Sequence, residues 1–205
     1  RYLLNRGADM LLTACNSASA YAYDAVRAID PEKPTLDVIR PVVQHLGTNW
    51  PKGTIGVIGT RATIRSGIYT QLLQGQFPQI KVKALATPLL APFAEEGIED
   101  PQLRSAMVAH YLKQPALQEI DALVLACTHY PLLKKEIRAQ LPAHTQIVDP
   151  AEILALELQN LLPALDGQGQ MECLVSEWTP AFAQAAQLMF GENLEVKQHN
   201  IHPGT

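Results

Sequence analysis

The chain has 205 residues, 47% of them hydrophobic and 18% charged, with a formal net charge of −4. That length holds one large or two small domains with a sizeable core, and the balance is that of a globular protein rather than a disordered one. The mild acidity comes without blocks of like charge or basic residues interleaved with aromatics, which argues against a nucleic-acid partner, and no apolar run reaches membrane-spanning length.

Arg1-Tyr2-Leu3-Leu4-Asn5-Arg6-Gly7 reads as the last turn of a helix ended by glycine, so the sequence predicts a chain that is incomplete at its N-terminus. From there strand-like and helical runs alternate. Strands are expected at 8–14, 35–39, 54–59, 80–86, 121–126, 145–148, 171–175 and 194–198. Helices are expected at 18–29, 41–46, 62–73, 91–96, 101–113, 131–139, 151–162 and 180–190. Several helix starts carry capping chemistry: Asp149-Pro150-Ala151-Glu152 offers an N-cap, a first-turn proline and a third-position acid, and Asp100-Pro101 and Thr179-Pro180 repeat the first two. Breaks fall at 49–53 and at 166–169, the second a plain loop. Such alternation predicts an α/β fold with a mostly parallel sheet covered on both faces.

Two segments look like copies of one device. Ala8-Asp9-Met10-Leu11-Leu12-Thr13-Ala14-Cys15 and Ile120-Asp121-Ala122-Leu123-Val124-Leu125-Ala126-Cys127 align residue for residue: an Asp, a short apolar run, then Ala-Cys. Each reads as a buried parallel strand with a thiol at its carboxyl end, the edge where open α/β sheets hold ligands. Polar residues that open a helix follow each thiol. A thiol there feels the positive end of the helix and nearby free N–H groups, which lower its pKa and favour thiolate. The same N–H groups, with Asn16, Ser17 and Thr128, suit a carboxylate, and His129 lies two residues past Cys127, placed to exchange a proton with it.

A single strand-end cysteine is ordinarily a small apolar filler, and Cys173, inside a strand-like run, is read that way. Two in matching positions, each followed by polar side chains, point instead to a shared site. Zinc is disfavoured for Cys15, Cys127 and His129, since no short Cys or His pairs accompany them. No Cys-x-x-Cys motif supports a redox disulfide, and a Cys-His nucleophile pair leaves the second cysteine unexplained. Gly56-Val57-Ile58-Gly59-Thr60 is not G-x-G-x-x-G and reads as a tight βα turn, with Thr60, Thr63 and Ser66 as candidate donors to a ligand carboxylate. The run from Pro88 to Gly97 puts Glu95 and Glu96 at the same sheet edge, Glu95 being the candidate acid–base partner and a solvated helix face the alternative.

Leu12-Thr13-Ala14-Cys15-Asn16-Ser17-Ala18-Ser19-Ala20, Ile55-Gly56-Val57-Ile58-Gly59-Thr60 with Ala62-Thr63-Ile64-Arg65-Ser66-Gly67, and Ala126-Cys127-Thr128-His129-Tyr130-Pro131-Leu132-Leu133 resemble signature segments of bacterial glutamate racemases, in order and spacing. The resemblance implies two similar parallel-sheet α/β domains with the active site in the cleft between them. Residues 1–46 and 150–205 would form the first, incomplete at its start, and 47–149 the second. It implies interconversion of L- and D-glutamate without a cofactor or metal, supplying D-glutamate for peptidoglycan in the cytoplasm. Cys15 matches the thiol that acts on D-glutamate and Cys127 the one that acts on L-glutamate. Asn16, Ser17, Thr128 and His129 match substrate-binding positions, Thr60 joins them as a candidate through its hydroxyl, and His129 and Glu95 match the groups that assist the thiols. Ser17 stands where the family usually has Thr, and Val38-Ile39-Arg40-Pro41 departs from the turn common there. The implied partner is the small-molecule substrate, with neither nucleic acid nor membrane, and a homodimer is left open. A two-cysteine racemase of aspartate or hydantoins, or a non-catalytic binding domain, are the rival readings.

Overall fold

Five consecutive apolar residues, Ala122 to Ala126, form a strand in which every side chain is buried. A strand covered on both faces is a continuous apolar run rather than an alternating one, and this one lies inside a parallel sheet. The computed structural model describes residues 1–162, 171–179, 182–183, 186–187 and 196–199. In chain order its elements are α1 (Tyr2–Asn5), β1 (Leu11–Thr13), α2 (Asn16–Arg27), β2 (Thr35–Asp37), α3 (Arg40–Asn49), β3 (Thr54–Gly59), α4 (Arg61–Ser66), α5 (Ile68–Gln76) and β4 (Lys81–Ala86). They continue with α6 (Leu90–Glu95), α7 (Pro101–Leu112), β5 (Ala122–Ala126), α8 (Lys134–Gln140), β6 (Gln146–Val148), α9 (Pro150–Leu161), β7 (Cys173–Val175) and β8 (Val196–Gln198). The expected loop at 166–169 and most of the helix expected at 180–190 lie outside the described residues.

Every strand pairing among the described residues is parallel: β1 with β2, β7 with β8, and a four-stranded sheet ordered β4-β3-β5-β6. Alternate side chains of the larger sheet feed two cores. Ile55, Val57, Val124 and Val148 face Val42, Val43 and Leu46 of α3, Leu73 of α5 and Leu154 of α9. Ile58, Leu123 and Leu125 face Leu90 and Phe93 of α6, Val108 of α7, Tyr130, Leu133 and Ile137. Each such Leu, Ile or Val contributes about 1.5–3 kcal/mol of burial. The expected α/β class with parallel sheets is what the structure has.

Two expected helices differ in form. The one expected over 62–73 is two, because Gly67 adopts φ +68 between α4 and α5 and ends the first with a left-handed residue. The one expected over 131–139 begins as a 3₁₀ turn, Tyr130–Leu133, before α8. Caps hold where chemistry predicts them: Asp100 accepts from Gln102 and Leu103 N–H, and Asp149 from Ala151 N–H. Among the described residues no helix is long and apolar enough to cross a membrane.

Candidate active site

The site assembles at the carboxyl ends of β1, β3 and β5. Cys15 follows β1 as the N-cap of α2, with extended backbone (φ −87, ψ 124), and its carbonyl accepts from Ser19 N–H at 2.8 Å. Thr60 follows β3 and caps α4, its hydroxyl accepting from Thr63 N–H at 3.1 Å. Space favours glycine at the close turn expected here: a Cβ on Gly59 would stand 3.1 Å from the Ala126 carbonyl on β5. Cys127 follows β5, and its carbonyl starts the 3₁₀ turn by accepting from Tyr130 N–H at 3.1 Å.

These strand ends share one cavity of about 170 Å³, lined by Cys15, Asn16, Ser17, Thr60, Ala91, Glu95, Ala126, Cys127, Thr128 and His129. Eight of the residues singled out from the sequence therefore line one cavity, while Thr63, Ser66 and Glu96 are not part of its lining. Ala91 and Ala126 complete the lining with methyl groups, small enough to leave the space open.

Three side chains form a chain of contacts along one wall. Glu95 Oε1, at the end of α6, lies 3.0 Å from His129 Nε2, and His129 Nδ1 lies 3.8 Å from Cys127 Sγ. With Nε2–H donating to the carboxylate, Nδ1 is the acceptor and the Cys127 S–H its donor. Burial pushes the Cys127 thiol up to about 11; the His129 backbone N–H pulls it down, and negative charge at Cys15 and Glu95 raises it further. The thiolate expected at both cysteines is thus not the resting form of Cys127. The physical reason is local: Cys127 is 7% exposed, and a short 3₁₀ turn rather than an α-helix follows it. Cys15, by contrast, is exposed and heads the twelve-residue α2.

A second group of side chains at the cavity is hydroxylic. Ser17 Oγ lies 2.9 Å from both Thr60 Oγ1 and Thr63 Oγ1, and the two threonine hydroxyls are 3.1 Å apart. Ser66, named with them from the sequence, instead donates to the Thr63 carbonyl at 2.6 Å. Asn16 is 2% exposed; its Oδ1 accepts from the Tyr69 hydroxyl at 2.7 Å, while its Nδ2 has no protein partner. Sequence reasoning missed Tyr69, whose place in α5, 53 positions from Asn16, gives no local signal. Among the described residues no group of three or more His, Cys, Asp or Glu gathers as metal ligands do.

Comparison with known proteins bears on the chain as a whole. Residues 1–158 match the family described as Asp/Glu/Hydantoin racemase. A glutamate racemase of Aquifex pyrophilus is 37% identical over 196 residues, covering 96% of this chain and 75% of that relative. The crystal structure of a glutamate racemase isoform from Bacillus anthracis superposes with a TM-score of 0.86 at 29% identity, over 97% of this chain and 76% of that one. The Francisella tularensis glutamate racemase, solved with D-glutamate, superposes at 0.83 with 26% identity, over 98% and 76%.

Proposed function

The chain belongs to the Asp/Glu/hydantoin racemase family, and we propose that it interconverts L- and D-glutamate by proton transfer between two thiols. The observation that carries this reading is the cavity itself, which has Cys15 and Cys127 on one surface although the two lie far apart along the chain. A racemase working at Cα needs one base and one acid on opposite faces of the same carbon. Cys127 supplies the acid: it rests protonated because it is buried, with its S–H toward His129. Cys15 supplies the base at the head of α2.

With D-glutamate, the Cys15 thiolate removes the α-proton while the Cys127 S–H delivers its own to the other face, leaving Cys15 as thiol and Cys127 as thiolate. No electrons leave the substrate, and the net change is inversion. The new Cys127 thiolate faces His129, whose other nitrogen is anchored by Glu95, so the charge appears beside a group able to stabilise it. L-glutamate runs the steps backward. Ser17, Thr60 and Thr128, with Asn16 and His129, hold the substrate carboxylates and amine, donors that a closed cavity strengthens.

The reading carries a two-lobed division, residues 1–46 with 150–205 against 47–149, with α3 spanning the first boundary. It also carries supply of D-glutamate for peptidoglycan in the cytoplasm. Exchange of the α-proton of glutamate in deuterated water, followed by proton NMR with aspartate in parallel, tests it. Glutamate is expected to exchange and invert, and Cys15→Ala and Cys127→Ala each to abolish inversion. Inversion of aspartate alone, exchange of neither amino acid, or measurable inversion by either variant overturns it.

A further inference from the structure

The buried Asn16 carboxamide uses one end and leaves the other unpaired. Its Oδ1 accepts from the Tyr69 hydroxyl at 2.7 Å, and its Nδ2, sealed from water and without a protein partner, belongs to a residue that lines the cavity. A buried donor without a partner is destabilising and is rarely retained without a reason. The carboxamide has two donors and one acceptor, so whichever group takes Oδ1 decides which end the rest of the site meets.

We propose that Tyr69 is a positioning residue of the racemase site, whose hydroxyl locks the Asn16 carboxamide so that Nδ2 is presented to a carboxylate of the bound amino acid. This deepens the glutamate reading and rests on it. Tyr69 suits the task by its surroundings. It is 3% exposed on α5, so its ring cannot swing away, and burial with the negative charge of Asp37 raises its pKa so that the phenol keeps its proton. Asp37 is itself fixed, accepting from the Arg40 backbone N–H at 3.0 Å and from the Arg40 side chain at 2.8 Å. In this orientation the phenol donates to Oδ1, and turning the amide over would give up that bond, since Nδ2 could meet the hydroxyl only as its acceptor.

The test is a double-mutant cycle on the full chain: Tyr69→Phe, Asn16→Ala and both together. Phenylalanine keeps the ring and removes only the hydroxyl. Tyr69→Phe is expected to lower kcat/KM roughly tenfold, the scale of one lost hydrogen bond. The loss is expected to be equal for both enantiomers, and with Asn16 already alanine the same change is expected to alter kcat/KM less than about twofold. A loss of equal size in both backgrounds, or no loss in the wild-type background, overturns the proposal. A second readout needs no substrate: the Asn16 side-chain amide resonances, identified by their disappearance in Asn16→Ala, are expected to shift in Tyr69→Phe. Unmoved resonances overturn the Tyr69–Asn16 contact. Failure of wild-type protein to exchange the glutamate α-proton overturns the substrate instead, so the two failures are told apart.

Discussion

The protonation state of Cys127 is the quantity on which the proposed two-thiol transfer turns, and it can be measured directly. With its thiol pushed up to about 11 by burial, Cys127 is thiolate in only about one molecule in a thousand near pH 8. The same residue in the unfolded chain, with an ordinary thiol pKa of about 8.5, is roughly one quarter thiolate. Ionisation alone therefore slows alkylation of folded Cys127 about two-hundredfold relative to protein in urea. Iodoacetamide labelling across a pH series, with peptide mapping by mass spectrometry, reads the ratio residue by residue. Mere shielding would also slow the reaction, but shielding scales the curve without moving its inflection. The expected signature is a rate that keeps rising by about tenfold per pH unit beyond pH 9.5. A folded-state inflection near that of the unfolded chain would refute the buried, protonated thiol and remove the acid from the two-base scheme.

The same shift has a stability counterpart. Because the folded pKa lies above the unfolded one, Cys127 adds stability that is complete below about pH 8.5 and is lost as pH rises through about 11, a change of up to about 2–3 kcal/mol. Urea midpoints of wild-type protein are expected to fall across that window, and those of Cys127→Ala to lack this component; identical pH dependence in both would count against it. Glu95→Gln removes the 3.0 Å partner of His129, and kcat/KM is expected to drop roughly a hundredfold. The drop must be equal for both enantiomers, since their equilibrium constant is one, and the Cys127 labelling curve is expected to move to lower pH because a charge that raises its pKa is gone. An unchanged rate would leave Glu95 as a solvated surface acid. Tyr130→Phe deletes a buried hydroxyl that meets Thr87 Oγ1 at 2.7 Å and donates to the Thr87 carbonyl at 3.1 Å. It is expected to destabilise the fold by about 1–3 kcal/mol in urea titrations, and an unmoved midpoint would contradict that count.

Much of this was legible in the sequence where one principle acted alone. The strand Thr54–Gly59 is where the apolar run and its glycine turn predict it, because a fully buried parallel strand leaves a continuous apolar signature. Asp100, Asp149 and Thr179 accept from the backbone N–H groups of the residues they were expected to cap. All eight site residues line the cavity because each sits just past a strand end, or on the short helix after β4, and parallel topology brings those ends to one edge. What was not legible depends on three-dimensional neighbours. The helix expected over 62–73 breaks at Gly67, since pattern alone does not reveal a residue at φ +68. The Tyr69–Asn16 bond joins residues 53 positions apart, and Asp37, inside an expected strand, carries no local sign that the fold buries its carboxylate.

The two cysteine segments show why similar sequences need not give similar chemistry. β1 pairs only with β2 among the described strands, leaves Leu12 40% exposed and delivers Cys15 straight into the first turn of an α-helix. β5 lies between β3 and β6, buries all five residues and delivers Cys127 into a proline-bearing 3₁₀ turn behind Glu95 and His129. One thiol is accessible at a positive helix end, and the other is buried where its proton is held. A symmetric pair would start with two thiols or two thiolates, and neither state can both remove and deliver a proton. In the proposed transfer, the unequal strands around an alike motif give the two sulfurs the unequal surroundings that inversion at a single carbon requires. Altering the surroundings of one cysteine rather than the cysteine itself tests this. His129→Asn with Glu95→Gln strips Cys127 of its polar support while leaving both sulfurs in place, and inversion is expected to fall while Cys15 keeps its labelling rate. Equal loss of labelling at both cysteines would mean that the site had collapsed rather than lost its asymmetry.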